Sequence, residues 1–194
     1  MLNRQAKVLR SAQIRAALDH ISRTRHPIRN RVIFLLSLRA GLRAKEIAAL
    51  EWRMVTDADG NIADTIRLTN AASKGRSGGV IPMAGELRKA LSALRQITPS
   101  PIGLARVIRT ERSSATSAQV IINMFQEWYS ALGFDGCSSH SGRRTFITMA
   151  ARNIGRFGGS LRDVQALARH SSLAMTQRYI EIDSDAMKRV VDCW

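Results

Sequence analysis

The chain has 194 residues, 45% hydrophobic and 23% charged, enough apolar material for one core or two small ones. Thirty Lys and Arg face fifteen Asp and Glu, leaving a formal charge of +15 and a pI near 11.4. That balance excludes an acidic disordered tail, argues against an enzyme for cationic substrates, and points to a polyanionic partner whose counterions clustered cations release.

In chain order, Ile14, Ala17, Leu18 and Ile21 recur at helical spacing and predict a helix over Ser11 to Ile21. Pro27 opens a second helix running to Arg39, with Gly41 as its stop. A short helix follows over Ala44 to Leu50. The pattern then changes. Met54-Val55, Ile66 to Thr69, and Val80-Ile81-Pro82 are separated by the turn Asp57-Ala58-Asp59-Gly60 and the Gly-rich segment Ser73 to Gly79. This predicts a three-stranded antiparallel sheet inserted over 52–83, with Pro82 at its end or edge. Helices are expected over 84–97, 117–132, 140–154, 161–169, 172–181 and 184–192, with Ser117 and Ser184 as N-caps. The whole reads as a single, mainly α domain, 1–194, with a small sheet. Met187, Val190, Val191 and Trp194 share a face in the tail 184–194, which either closes its own core or docks on a neighbouring protomer.

Only Lys7, Lys45, Lys74, Lys89 and Lys188 are lysines, so arginine dominates the basic residues. Its planar fork grips phosphate through two hydrogen bonds, where lysine offers a point charge. Cys137 and Cys193 make neither a disulfide framework nor a four-cysteine zinc site. The longest apolar run, Val32 to Leu36, is too short to cross a membrane, and no apolar segment follows the N-terminal charges. A soluble intracellular protein is expected.

Four segments could carry chemistry. Arg43 sits at a helix–helix turn with Glu46 three residues on, either fixing its fork or acting as an ordinary first-turn acid. Lys74 lies in a Gly-rich turn, as a soluble tip or a ligand-reaching ammonium. His140 and Arg143 share a helix face at a helix start that favours anions. His170 precedes Tyr179 by nine residues, in a chain with four His and two Tyr.

Together, Gly41-Leu42-Arg43-x-x-Glu46, Ser73-Lys74-Gly75 before Val80-Ile81-Pro82, His140-x-x-Arg143-Arg144-Thr145-Phe146, and Arg169-His170-Ser171-Ser172 followed by Tyr179 resemble the catalytic domain of the tyrosine recombinases, or phage integrase family. The resemblance runs from about Val8 to about Val191. It implies the DNA breaking-rejoining fold and a site-specific recombinase working through a 3′-phosphotyrosyl link. It implies that Arg43 and Arg143 clamp the scissile phosphate, Lys74 is the hairpin lysine, and His140 belongs to the His-x-x-Arg pair. His170 would be the second histidine, Tyr179 the nucleophile, and Glu46 the support of the first arginine. No metal or other cofactor is implied. The implied partners are double-stranded DNA, three further copies of the chain in a tetrameric synapse, and accessory DNA-bending proteins. The implied location is the cytoplasm, on the nucleoid.

The chain departs from the family pattern at several points. Ala168-Arg169-His170 stands where Leu-Gly-His is usual, and Gly142 where leucine is frequent. Gly79 occupies the usual place of a second hairpin base, with Arg76 as a substitute nearby. Gly155 to Ser160 adds a Gly-rich loop ahead of the nucleophile segment. The length leaves no room for the N-terminal clamp domain of most relatives, as in the small fimbrial-type invertases or a stand-alone mobile-element integrase. Three alternatives stay open: a topoisomerase-like strand relaxer, a non-catalytic basic DNA-binding module, and an RNA-binding protein.

Overall fold

The computed structural model describes residues 6–73, 78–98, 103–111, 113–179 and 191. Pro27 starts α2 (Pro27–Ala40) at a position where a missing N–H costs nothing. Gly41 ends it with φ +62°, and Leu42 N–H closes back on the Leu36 carbonyl at 3.0 Å. Every residue from Val32 to Leu38 is buried, so α2 is covered on all sides. Around it pack α1 (Ser11–Ser22), α3 (Ala44–Ala49), α4 (Gly85–Gln96) and α6 (Ser141–Asn153). α5 (Ala118–Ala131), capped by the Ser117 hydroxyl at 3.2 Å from Val120 N, lays Phe125, Trp128 and Tyr129 against this core.

Among the described residues the sheet has two strands, not three. β1 (Thr65–Leu68) and β2 (Gly79–Pro82) pair antiparallel, with Ile66 opposite Ile81 and Pro82 at the end opposite Thr65. The expected first strand is a 3₁₀ turn over Trp52–Met54. Its backbone is engaged with a distant loop: Trp52 N–H bonds Ala105 O at 3.0 Å and Arg53 N–H bonds Gly103 O at 2.8 Å. The turn over Asp57 to Gly60 does form, but it closes on a single bridge, Thr56 to Ile62. Among the described residues no helix is long and apolar enough to cross a membrane.

A second, smaller apolar cluster lies beside the main core. Ile147 of α6 packs there with Val164 and Ala168 of α7 (Leu161–Ala168), with Phe146, Ile154 and Tyr179 at its margin. α8 (Leu173–Gln177) follows, shorter than the expected helix over 172–181. Tyr179 therefore sits in a turn just past its end, its N–H bonded to Thr176 O at 3.0 Å. The tail over 184–194, Val191 excepted, and with it the Ser184 cap and the docking face, lies outside the described residues.

Gly142 explains one departure from the family pattern. A Cβ there would lie 2.4 Å from Ser37 Oγ and 2.9 Å from Ser37 Cβ, so α6 crosses α2 at a distance only glycine permits. Gly142→Ala is expected to lower the thermal unfolding midpoint, at about 1–3 kcal/mol for overpacking. It is also expected to slow any reaction that uses the adjacent Arg143.

Candidate active site

Arg43 is the residue from which α3 departs, and Glu46 lies one turn inside the helix. The Glu46 carboxylate is fully buried, which demands partners for its charge. It has three. Oε2 accepts the Arg43 backbone N–H at 2.8 Å, Oε1 the Arg43 Nη1 at 3.0 Å, and Oε2 also the Arg169 Nη2 at 2.7 Å. Glu46 is thus more than a first-turn acid: it holds the Arg43 fork and a second guanidinium.

Arg143, one turn into α6, is 4% exposed. Its Nη1 donates to Gly41 O and its Nη2 to Ala168 O, each at 2.5 Å, so one guanidinium ties the end of α2 to the end of α7. Burial, and then the charge of Arg43, push it down to about 10, where it is still cationic at neutral pH.

His170 follows the α7 C-cap. Its Nδ1 is 2.9 Å from the buried Thr176 hydroxyl. Its ring stacks on Tyr179, with centroids 5.5 Å apart and planes 28° from parallel. The Arg144 guanidinium lies 5.7 Å from the Tyr179 ring centroid on the cation–π side. Burial, then Arg143, Arg43 and Arg169, push the imidazole down to about 4.

These groups open onto one cleft of about 430 Å³, lined by Arg43, His140, Arg143, His170, Arg178 and Tyr179 among others, with no acidic side chain among the described residues of its wall. His140, the residue preceding α6, is exposed at its rim. A larger groove of about 700 Å³ near His26 and Arg29 is a poorer anion site, since Glu111 already pairs with Arg25 at 2.8 Å and His26 at 3.2 Å. Lys74 and Arg76 lie outside the described residues. Arg169, Arg144 and Thr176 carry no assignment from the sequence reading. The one available signal was Arg169 in the usual place of a glycine, directly before His170.

A family model described as "Phage integrase family" matches residues 7–185. The chain belongs to the phage integrase family. It is similar to the tyrosine recombinase XerC of Brucella melitensis, 28% identical over 166 residues, 84% of this chain and 50% of that one. XerC of Neisseria gonorrhoeae is 29% identical over 176 residues, covering 85% and 51% of the two chains. The chain therefore spans about half the length of the curated relatives it matches. Among solved structures, XerA recombinase superposes with a TM-score of 0.73 at 21% identity, covering 98% of this chain and 64% of that one. The Tn1549 transposon integrase in complex with a circular intermediate DNA gives 0.73 at 18% identity, covering 98% and 66%. These likenesses show the integrase fold.

Within that fold, two of the departures meet in space. Arg169 adopts φ +54°, the left-handed conformation that glycine takes freely and that costs other residues about 1–2 kcal/mol. Its Cδ lies 3.6 Å from where a Cβ on Gly79 would be. The Gly-rich loop, a further departure, is a 3₁₀ turn over Ile154–Phe157 closed by Gly158 at φ +73°, leading into α7.

The low His170 value sets a pH dependence. An unfolded histidine takes up its proton near 6.5, whereas the folded site holds it off to about 4. Between those values the unfolded chain binds more protons, so stability falls as pH drops through the window and levels off below it. Thermal midpoints measured from pH 7 to 4 are expected to show this fall, and His170→Gln to flatten it. Parallel curves for the two proteins would remove the assignment.

Proposed function

We propose that this chain is the catalytic part of a site-specific DNA recombinase that cuts and rejoins strands through Tyr179. The single observation that carries the reading is the convergence of Arg43, His140, Arg143, His170 and Tyr179 on one arginine-lined cleft. The printed names of the relatives agree with it: tyrosine recombinases in sequence, and in structure an integrase with circular intermediate DNA and XerH bound to its difH substrate (TM-score 0.69 at 18% identity, covering all of this chain and 56% of that one).

The physical argument starts from the phosphodiester, which is singly charged and repels nucleophiles. In-line attack places further charge on its nonbridging oxygens. Arginine forks fixed before the substrate arrives, Arg43 by Glu46 and Arg143 by two carbonyls, stabilise that charge more than the ground state. His170 is neutral near pH 7, and in the tautomer whose Nδ1 accepts the Thr176 hydroxyl it carries its proton on Nε2, where it can be donated to a phosphate oxygen. His140 accepts the Tyr179 proton as the phenol attacks. The 5′-oxygen leaves as a basic alkoxide and takes a proton from Lys74. The phosphotyrosyl link keeps the bond energy, so a 5′-hydroxyl of a second strand can reverse the step without another energy source.

In this reading the substrate is double-stranded DNA in the cytoplasm, on the nucleoid. Exchange between two duplexes requires four protomers, with the 184–194 tail as the connector between neighbours and DNA-bending proteins as accessories. Integration, excision and inversion share this chemistry.

The test is a nicked suicide duplex carrying a site selected from random sequence by the protein itself. A covalent protein–DNA adduct on a denaturing gel is the expected result. Binding without adduct returns the chain to a non-catalytic DNA-binding role. Lys74→Ala is expected to cut slowly and to regain rate on a 5′-bridging phosphorothiolate, whose thiolate leaves unprotonated. A variant equally slow on both substrates removes Lys74 as the acid.

A further inference from the structure

Arg169 is expensive to keep where it is. Its backbone holds φ +54° without being glycine. Its side chain is 5% exposed, and two of its three guanidinium nitrogens, Nε and Nη1, have no hydrogen-bond partner among the described residues. The third, Nη2, is spent on Glu46. A residue chosen for stability would not combine a strained backbone with two orphaned buried donors.

Its surroundings show what it does accomplish. The Glu46 carboxylate that holds Arg43 is the one that holds Arg169, so the two guanidiniums are set against each other through a single rigid anion. The charge of Arg169 also reaches Arg143 and His170. Three arginines with one carboxylate make a cluster of net charge +2, with Arg43 and Arg143 on the wall of the cleft and Arg169 and Glu46 buried behind it. A phosphodiester carries one negative charge and its pentacoordinate transition state two. Removing Arg169 takes one positive charge from behind the place where the transition state gains negative charge.

Room for this side chain comes from β2. Its Cγ and Cδ lie 3.9 and 3.6 Å from the site of a Cβ on Gly79, so a Cβ there would touch the Arg169 stem and a side chain extending past it in that direction would compete for the same space. Gly79 has no positive φ, and nothing in its backbone calls for glycine.

We propose that Arg169 is a third arginine of the phosphate site, a positioning residue that braces Arg43 through Glu46 and fills from α7 the space that Gly79 leaves open on β2. This deepens the recombinase reading and rests on it for the reaction affected.

Three variants test it: Arg169→Gly, Arg169→Lys and the exchange Arg169→Gly with Gly79→Arg. Glycine suits the backbone at 169, so loss of fold is not the expected outcome, and a cooperative thermal transition checks this. In single-turnover cleavage of the suicide duplex, Arg169→Gly is expected to cut about 10–100-fold more slowly, the usual scale for removing an outer partner that orients an inner one. Its DNA affinity should stay near wild type. Arg169→Lys, which keeps the charge without the fork, should recover part of the rate. The exchange, which returns a guanidinium to the same space from β2, should recover most of it. A second readout needs no cleavage: the His170 imidazole, followed by NMR in the free proteins, should take up its proton at higher pH in Arg169→Gly and move back in the exchange.

Arg169→Gly cutting at the wild-type rate overturns the proposal. So does a rate and affinity falling together, or a folded exchange variant no faster than Arg169→Gly. If the wild type itself makes no adduct, the recombinase reading fails, and the His170 titration decides alone: no movement between wild type and Arg169→Gly removes the role of Arg169.

Discussion

Tyr179→Phe is expected to form no covalent adduct while binding its DNA site with near wild-type affinity. The substitution removes one oxygen and keeps the ring, so the stack on His170 and the Arg144 contact survive. What disappears is the only accessible phenol. The other tyrosine, Tyr129, is 2% exposed in the core of α5, and burial raises its phenol further from ionisation. Holding a phenol as phenolate at pH 7 costs about 4 kcal/mol from its ordinary value. Tyr179 stands in the cleft beside Arg43, Arg143, Arg144 and Arg178. Adduct formation is read on a denaturing gel and affinity by mobility shift. An adduct of undiminished yield in the variant would remove Tyr179 as the nucleophile.

Arg143→Ala is expected to cut about 10²–10³-fold more slowly, the loss that follows removal of a preorganised donor to a transition-state oxygen. Affinity should weaken little, because one phosphate contact among many is lost. A structural effect accompanies the kinetic one. The Gly41 and Ala168 carbonyls each lose a donor, and each buried acceptor left unsatisfied costs about 1–3 kcal/mol. A lower thermal midpoint is therefore expected as well, and cleavage should be compared at a temperature where both proteins are folded. Arg143→Lys should restore little, since an ammonium is not the planar fork that spans both carbonyls and a phosphate. Rate and affinity falling in equal proportion would contradict a role in the chemistry.

Most of the helical framework could be read from the residues. Local signals suffice where they act locally: Pro27 and Gly41 bound α2, and Ser117 caps α5. The first strand could not be read, because Glu51 to Arg53 bond to 103–106, a loop with no periodic pattern to announce it. The end of α8 was equally hidden, since the 172–181 pattern runs on past Gln177 while the chain turns at Tyr179. At the site, it was the resemblance to the family that grouped Arg43, His140, Arg143, His170 and Tyr179, since each motif taken alone has an ordinary structural reading; all five line one cleft. Arg169 escaped because a cation at a helix end is usually solvated, and only the fold shows that this one points inward to Glu46. The double duty of Glu46 was invisible for the same reason: its partners lie 3 and 123 positions away.

The small apolar cluster of Ile147, Val164 and Ala168 seats the end of the chain that bears the hydroxyl, whereas Arg43 stands on α3, which is rooted in the large core. Fewer buried contacts mean earlier local opening on warming or in mild denaturant. The segment carrying Tyr179 is therefore expected to come away from the cleft before the helix that carries Arg43 gives way, so that mild warming separates the hydroxyl from the guanidiniums while the larger core still stands.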